Sequence, residues 1–231
     1  MPLLSHQLNN RLLTMLEATD EKRLVSQMQL VYLPKGKTLF ESGQKLHYAY
    51  FPTSAVICML VEPFGMTAIE SASISNEGVL GAPLLKDDYL TTRAKVQSEG
   101  YCYRIEVDLL QQSINRSDAF TEILLKYLQL RITKVAQMAI CSRQHPVEQQ
   151  LCSVLLTILD CSPNSKMPIS QQTISTKLNV LPESIDYQID KLLRAGVIDL
   201  RRGNVTVLNR SFLESKACEC YQIIVKETAD M

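Results

Sequence analysis

Seven cysteines and three histidines are the residues of this 231-residue chain that are best suited to hold a metal ion or to act as nucleophiles. The cysteines stand at irregular intervals, and Cys218 and Cys220 are closer than the usual spacing of a zinc-binding pair. His6, His47 and His145 are dispersed, so no catalytic triad is predicted. An odd number of irregularly spaced cysteines is typical of the reducing cytoplasm. The sequence therefore predicts a cytoplasmic protein with no metal site, no cofactor and no enzyme activity.

A second group of polar residues, near the C-terminal end of the chain, has a pattern suited to contact with duplex DNA. Ser170 is placed to cap a short helix over 171–178. Pro182 suits the first position of a second helix, where its missing N–H costs nothing. Gly196 is predicted to end that helix, and two short strands follow around a tight turn at 201–204. The sequence therefore predicts a helix-turn-helix with a two-stranded wing.

The second helix of such a motif presents one face to the major groove, and the N-terminus of the first supplies N–H groups to a phosphate. The residues predicted to contact DNA come from these two helices and the wing: Ser170, Gln171, Glu183, Ser184, Tyr187, Gln188, Lys191, Arg201 and Arg202. Glu183 can accept a hydrogen bond from cytosine N4, and Gln188 can pair with adenine. Acidic residues outnumber basic ones on the second helix. We therefore expect modest affinity that falls steeply with salt.

The elements that must position these residues change in character along the chain. Leucines at helical spacing predict helix up to about residue 30. From Val31 to about Val107, short β-branched and aromatic runs are broken by glycine, proline, serine and asparagine, which is typical of an antiparallel jelly roll. Helical spacing then returns to about Cys141, and a hinge at 142–146 is predicted to precede another helix.

The long predicted helix carries an apolar stripe at intervals of three and four residues: Leu125, Leu128, Ile132, Val135 and Ala139. This is the spacing of the a and d positions of a coiled coil. The stripe can pack on the protein's own β-domain or on its copy in a second chain. A helix of about 22 residues is about 33 Å long, which is more than one small β-domain usually covers. We therefore favour a homodimer.

Composition is that of an ordinary globular protein, with 46% hydrophobic and 21% charged residues. The 24 lysines and arginines balance 24 aspartates and glutamates, so bulk charge does not draw the chain to nucleic acid or to a membrane. No uncharged apolar run approaches the roughly 20 residues that span a bilayer, and the N-terminus lacks the pattern of a secretory signal. No membrane partner is expected.

The order and spacing of several runs resemble the Crp/Fnr superfamily of bacterial transcription regulators. The matching runs are 33–36, 39–43, 50–56 and 76–81 in the β-rich region, and 169–175, 191–198 and 202–207 in the C-terminal region. The resemblance implies an α+β protein: an N-terminal antiparallel jelly roll of the cyclic-nucleotide-binding type, a long dimerisation helix and a C-terminal winged helix-turn-helix. The corresponding predicted domains are 1–116, 117–144 and 145–231.

Nucleotide-binding members of this family carry a glutamate and an Arg-Ser or Arg-Thr pair after a Gly-x-x-Gly turn. Here Gly78 and Gly81 match the turn, but Val79 replaces the glutamate and Leu90 falls within the window of the arginine pair. A buried cyclic phosphate would lack its charge-assisted partner, so we expect that cyclic AMP does not bind. The pocket then takes a less polar effector or is filled. Its candidate residues are Gly78, Val79, Gly81, Leu90, Thr91 and Arg131.

The leading hypothesis is a homodimeric transcription regulator that binds double-stranded DNA, with an unknown small-molecule effector that shifts the population of DNA-binding conformations. RNA polymerase is a further candidate partner. The alternative is a protein-interaction module whose acidic winged helix docks another protein. The salt dependence of binding to random duplex distinguishes the two hypotheses, because phosphate contacts release counterions. Catalysis ranks last, because neither paired carboxylates nor a nucleophile motif is present.

Overall fold

The computed structural model describes residues 9–62, 68–82, 91–161, 169–178, 180–201 and 204–231. The chain divides into two compact units, Met1–Leu128 and Gln129–Met231. The boundary between them falls inside one continuous helix, Asp118–Gln144. None of the helices in the described ranges has the length and apolar content needed to cross a membrane.

The first unit begins with two short helices, in agreement with the leucine spacing: α1 (Arg11–Thr14) and α2 (Ala18–Val25). The strands that follow are β1 (Gln29–Leu33), β2 (Thr38–Phe40), β3 (Tyr48–Pro52), β4 (Val56–Val61), β5 (Ile69–Ile74), β6 (Arg93–Ser98) and β7 (Gly100–Glu106). They form two antiparallel sheets with the orders β1-β7-β3 and β2-β6-β4-β5. The predicted antiparallel β-domain is confirmed.

Residues from both sheets meet in one hydrophobic core. Strand β4 pairs with β6 so that Ile57 lies opposite Val96, and β1 pairs with β7 so that Val31 lies opposite Cys102. Ile57, Val96 and Cys102 are buried in this core together with Leu33. Burial does not simply alternate along the strands, because β3 buries Ala49–Pro52 in succession and β4 buries Val56–Cys58, so both faces of these strands are covered.

The helical region after β7 is interrupted once, where the sequence predicts unbroken helical spacing. Helix α3 (Val107–Ile114) ends at Asn115, and α4 (Asp118–Gln144) begins after Ser117. The interruption has a local cause, because the Ser117 hydroxyl accepts a hydrogen bond from the N–H of Phe120 at 3.2 Å and so caps the start of α4. Helix α4 has 27 residues and is longer than expected.

The second unit contains the C-terminal part of α4 and the predicted winged helix-turn-helix. Its further elements are α5 (Val147–Asp160), β8 (Ile169–Ser170), α6 (Gln171–Leu178), α7 (Pro182–Arg194), β9 (Ile198–Arg201), β10 (Asn204–Val207), α8 (Arg210–Lys216) and α9 (Glu219–Asp230). The sheet order is β8-β10-β9. Leu151, Leu155, Ile174 and Val205 are fully buried in one core with residues of α7 and α8. The two C-terminal helices, α8 and α9, have no counterpart in the sequence-based prediction.

Candidate nucleic-acid interface

The turn between α6 and α7 is built by two serine side chains. The Ser170 hydroxyl accepts a hydrogen bond from the N–H of Thr173 at 3.1 Å, which confirms the predicted cap of α6. Ser175 is buried, and its hydroxyl donates to the carbonyl of Val180 at 2.6 Å while the N–H of Val180 donates to the Ser175 carbonyl at 3.3 Å. These bonds hold the start of α7 against α6.

Helix α7 separates its apolar and polar residues cleanly. Pro182 stands in its first turn, as the sequence predicts. Ile185 and Ile189 are each 1% exposed and pack into the core of the unit. On the opposite side, Glu183 and Tyr187 are exposed, and the Tyr187 side chain is left 71% accessible. A large aromatic side chain at this exposure is available to a partner surface, as the predicted DNA-contacting face requires.

Two of the predicted DNA-contacting residues lie at the edge of this face. Gln188 is half-buried, and its Oε1 atom is buried without a hydrogen-bond partner among the described residues. The reason is helical geometry, since about 100° per residue places Gln188 only about 60° from the buried Ile185. Lys191 is exposed, but its Nζ lies 2.8 and 2.9 Å from the two carboxylate oxygens of Glu148 on α5. Asp190, the residue before Lys191, is exposed on the outward side of the helix.

Acidic side chains accompany the basic ones around α7 and the wing. Besides the Lys191 pair, Arg194 Nη2 lies 2.8 Å from Asp190 Oδ2, and Arg201 Nε lies 2.6 Å from Asp199 Oδ2. The hydrogen bond that Lys191 donates to the Glu148 carboxylate raises the pKa of Lys191 above its ordinary value, which favours the charged form. These exposed pairs add little to stability, but a DNA phosphate must compete with each carboxylate.

The remaining predicted DNA contacts are placed as follows. Gln171 is half-buried at the start of α6, and its side-chain amide donates to Asp186 Oδ1 at 3.4 Å. Ser184 is exposed beside Glu183. Gly196 ends α7 with a φ of 67°, the left-handed conformation predicted for it. Arg202 lies outside the described residues.

The predicted apolar seam of α4 is exposed along its length. Leu125, Ile132 and Val135 are 55%, 63% and 50% accessible, and Leu128 and Ala139 are also exposed. Helix α4 therefore exposes to solvent a continuous apolar stripe with coiled-coil spacing.

A different face of α4 packs on the β-domain of the first unit. Phe120, Leu124 and Tyr127, which alternate with the seam residues in sequence, are buried. Tyr127 contacts Gly78 and Val79 of the β-domain, so α4 meets that domain with a face other than the seam.

The Gly-x-x-Gly turn of the first unit is covered by the protein's own side chains. A Cβ on Gly78 would lie only 2.2–2.4 Å from the ring and hydroxyl of Tyr127, so the tyrosine packs directly on the glycine. The Tyr127 hydroxyl donates to the carbonyl of Val79 at 3.3 Å. From the other direction, the amide of the fully buried Asn10 donates to the carbonyls of Gly78 and Pro52, both at 2.9 Å.

The other predicted pocket residues do not add a cation to this turn. Thr91 accepts a hydrogen bond on its carbonyl from the Ser42 hydroxyl at 2.9 Å, and Leu90 lies outside the described residues. The arginine that follows them in sequence, Arg93, pairs with Glu62, whose Oε1 lies 2.5 Å from Nη2. Its buried Nε lies 4.0 Å from Glu41 Oε2 and has no hydrogen-bond partner among the described residues.

The two remaining predicted pocket residues are Gly81 and Arg131. Gly81 adopts a φ of 80°, and a Cβ there would lie 3.3 Å from the carbonyl of Tyr48, so this end of the turn requires glycine. Arg131 is half-buried on α4 within the second unit, and its assignment to the pocket stays a prediction.

Solved structures of bacterial regulators match this architecture. FixK2 from Bradyrhizobium japonicum superposes with a TM-score of 0.71 at 11% identity, covering 83% of this chain and 98% of that one. CLP, a c-di-GMP-responsive global regulator from Xanthomonas campestris, gives 0.66 at 16% identity, covering 83% and 99%. A CRP-family transcriptional regulator from Thermus thermophilus gives 0.67 at 15% identity, covering 81% and 96%.

This chain has the Crp/Fnr fold. The structural likeness confirms the resemblance drawn from the sequence and, at these identities, it concerns the fold alone. No protein-family model matches the sequence, and no curated protein matches it significantly.

The structure also brings together four residues that the sequence analysis sets apart. Cys141, His145, Cys218 and Cys220 place one sulfur or ring nitrogen each within 4.8 Å of all the others. The sequence-based prediction of no metal site rests on the short Cys218–Cys220 interval and on dispersed histidines, and it does not anticipate this cluster. The sequence did contain one indication of this cluster. Cys141 and His145 are four residues apart, so at the end of a helix they lie on the same side.

Proposed function

We propose that this chain is a homodimeric, sequence-specific DNA-binding transcription regulator. The observation that carries the proposal is the outward face of α7, where Glu183, Ser184 and Tyr187 are exposed on a helix held by the Ser175 turn and followed by a wing. A helix presented in this way fits the major groove, and polar side chains along its first turns meet base edges.

The exposed α4 stripe supports the dimer. Two copies of the stripe bury each other's Leu125, Ile132 and Val135, which a single chain leaves at least half accessible. A two-fold dimer presents two α7 helices, and half-sites about 34 Å apart then give a palindromic operator.

The covered Gly-x-x-Gly turn supports the proposal that cyclic AMP is not the effector. Tyr127 and Asn10 contact the turn, and Arg93 is ion-paired with Glu62. A cyclic phosphate at this position would have to displace buried contacts and would still lack a cation. Either the effector is a molecule of other chemistry or the pocket is a filled remnant, and RNA polymerase is the candidate partner for the regulatory output.

Selection from a random duplex library tests the proposed function. We expect the full-length protein to enrich a palindrome, and Tyr187→Ala to weaken binding to the selected site by about tenfold or more because a face-centre contact is removed. Gln222→Ala, an exposed change on α9, is the matched control and should bind as the unmodified chain does. Failure to enrich any palindrome, or equal binding by Tyr187→Ala, contradicts the proposal.

A second candidate function, docking of another protein on the winged helix, is favoured by the ion pairs and by exposed apolar residues. Lys191, Arg194 and Arg201 each face a carboxylate, and Leu181 beside α7 is 71% exposed. The dependence of random-duplex affinity on salt separates the two functions. A slope near zero favours protein docking, whereas each phosphate contact adds about 0.9 to the slope.

A further inference from the structure

The Cys141–His145–Cys218–Cys220 cluster lies where several helices of the second unit meet. Cys141 belongs to the last turns of α4, and His145 lies in the turn between α4 and α5. Cys218 immediately precedes α9, and Cys220 stands in its first turn. All four ligand atoms lie within 4.8 Å of one another. We propose that these four residues, the Cys3His cluster, bind one zinc ion.

Two of the ligand–ligand distances in the cluster are close to those of a tetrahedral site. Zinc–sulfur bonds of about 2.3 Å and a zinc–nitrogen bond of about 2.1 Å place ligand sulfurs about 3.8 Å apart and a sulfur and nitrogen about 3.6 Å apart. Cys141 Sγ and Cys218 Sγ are 3.5 Å apart, and Cys220 Sγ is 3.6 Å from His145 Nδ1. These two pairs are within a few tenths of an ångström of the tetrahedral spacing, and every other pair lies within 4.8 Å, so shifts of about 1 Å or less bring all four ligands to bonding geometry.

Neighbouring polar groups orient two of the ligands. Glu219 Oε1 lies 3.2 Å from His145 Nε2, the ring nitrogen on the other side from the cluster. A carboxylate at this place holds the ring so that Nδ1 points at the metal, an arrangement common among zinc-binding histidines. The Ser153 hydroxyl lies 3.2 Å from Cys218 Sγ, which provides a hydrogen bond to a thiolate.

Further hydrogen bonds and a helix N-terminus hold the ligand residues in place. The N–H of His145 donates to the carbonyl of Cys141 at 3.1 Å, and the Gln150 side chain donates to the His145 carbonyl at 2.7 Å. Cys218 and Cys220 stand at the N-terminus of the twelve-residue α9, where the helix dipole favours negative charge.

Burial and ligand identity indicate a structural rather than a catalytic metal. Cys218 and Cys220 are 3% and 4% exposed, and the side chain of His145 is 13% exposed. Four protein ligands complete the tetrahedral coordination of zinc and leave no position for water or substrate. Three thiolates and one imidazole are also the soft ligands that select zinc over magnesium or calcium. The ion would tie α4, the start of α5 and the start of α9 into one rigid piece within the second unit.

Metal analysis of the purified, untagged full-length chain tests the site. We expect about one zinc per chain by elemental mass spectrometry. After zinc is removed by a chelator under reducing conditions, Co²⁺ should give the visible absorption bands of a tetrahedral site and the charge-transfer band of thiolate ligands, and Zn²⁺ should abolish both. The Co²⁺ spectrum requires no DNA binding, so it is independent of the proposed function.

Variants locate the metal. Cys220→Ser and His145→Ala should lose the zinc or the Co²⁺ spectrum, whereas Cys161→Ser, a half-buried cysteine outside the cluster, should keep both. If a variant fails to fold, the chelation and reconstitution of the unmodified chain decide the question. Equal zinc in Cys220→Ser, an iron chromophore in place of zinc, a Cys141–Cys218 disulfide in the native protein, or a chain that neither contains zinc nor gives the Co²⁺ spectrum overturns the proposal.

Discussion

The Gly-x-x-Gly turn of the first unit and the α7 face of the second unit are both positions where the Crp/Fnr resemblance implies a ligand, yet their surroundings differ. The turn is covered by Tyr127 and by the buried Asn10, which bond to its carbonyls. The α7 face is open, and Tyr187 on it is 71% exposed. Within one fold, the packing of a few side chains therefore decides which of the two positions is accessible.

The α4 stripe is the open apolar surface whose disruption should have the largest effect. Ile132→Asp places a carboxylate at its centre, and we expect a monomer with DNA affinity lowered by about 100-fold or more, because binding of two half-sites is lost. Analytical ultracentrifugation and a gel shift on the selected duplex measure the two effects.

A control variant tests whether any added negative charge on α4 would disrupt the dimer. Lys126→Glu also adds a carboxylate to the exposed surface of the helix, about 120° around the axis from Ile132. It should remain dimeric. An Ile132→Asp protein that still sediments as a dimer would mean that the stripe is not the interface.

The covered turn should respond to Gly78→Ala through stability. The new Cβ would overlap the ring of Tyr127 at 2.2–2.4 Å, and overpacking of this kind costs about 1–3 kcal/mol of unfolding free energy. Urea denaturation measures the loss.

A second substitution shows whether Tyr127 is the cause. In the Tyr127→Ala background the ring is absent, so Gly78→Ala should cost much less than it does alone, and the double-mutant cycle reports the coupling. Additive losses would show that the ring and the new Cβ do not interact.

Calorimetry with cyclic AMP on the Tyr127→Ala chain sharpens the comparison. Micromolar binding to this variant but not to the unmodified chain would show that the Tyr127 ring blocks the site.

The smallest effect is expected at the edge of the open face. Glu148→Gln removes the carboxylate that lies 2.8 Å from Lys191 Nζ, and the pKa of Lys191 should fall back toward its ordinary value. Lysine stays charged, so a phosphate no longer competes with Glu148. We expect DNA affinity to rise a few-fold, with a salt slope steeper by about 0.9.

Glu227→Gln provides the control, because it removes an equal charge from an exposed position on α9. An unchanged slope in Glu148→Gln would place Lys191 away from the DNA backbone.

Much of the fold was accessible from local signals. Ser170, Pro182 and Gly196 act on their own turns through a cap, a missing N–H and a left-handed φ, so the ends of α6 and α7 followed from residue types alone. The break at Ser117 is equally local, and the polar run at 115–118 was its signal in the sequence, but the prediction of one helical region passed over it.

The candidate sites were less accessible, because their contacts join residues far apart in sequence. The pair between Lys191 and Glu148 depends on how α5 packs against α7. The covering of Gly78 depends on which face of α4 meets the β-domain. Spacing within one segment contains no information about either contact.

By itself, the sequence determined the jelly-roll and winged-helix architecture, the order of elements up to β10 except the break at Ser117, and the apolar stripe, because each depends on periodicity and on residues that act within a few positions of themselves. Only the tertiary structure decided that the glycine turn is filled, that cations around α7 are paired, and that Cys141 and His145 meet Cys218 and Cys220. These outcomes are set by helix packing, which brings distant segments within hydrogen-bonding or metal-binding distance.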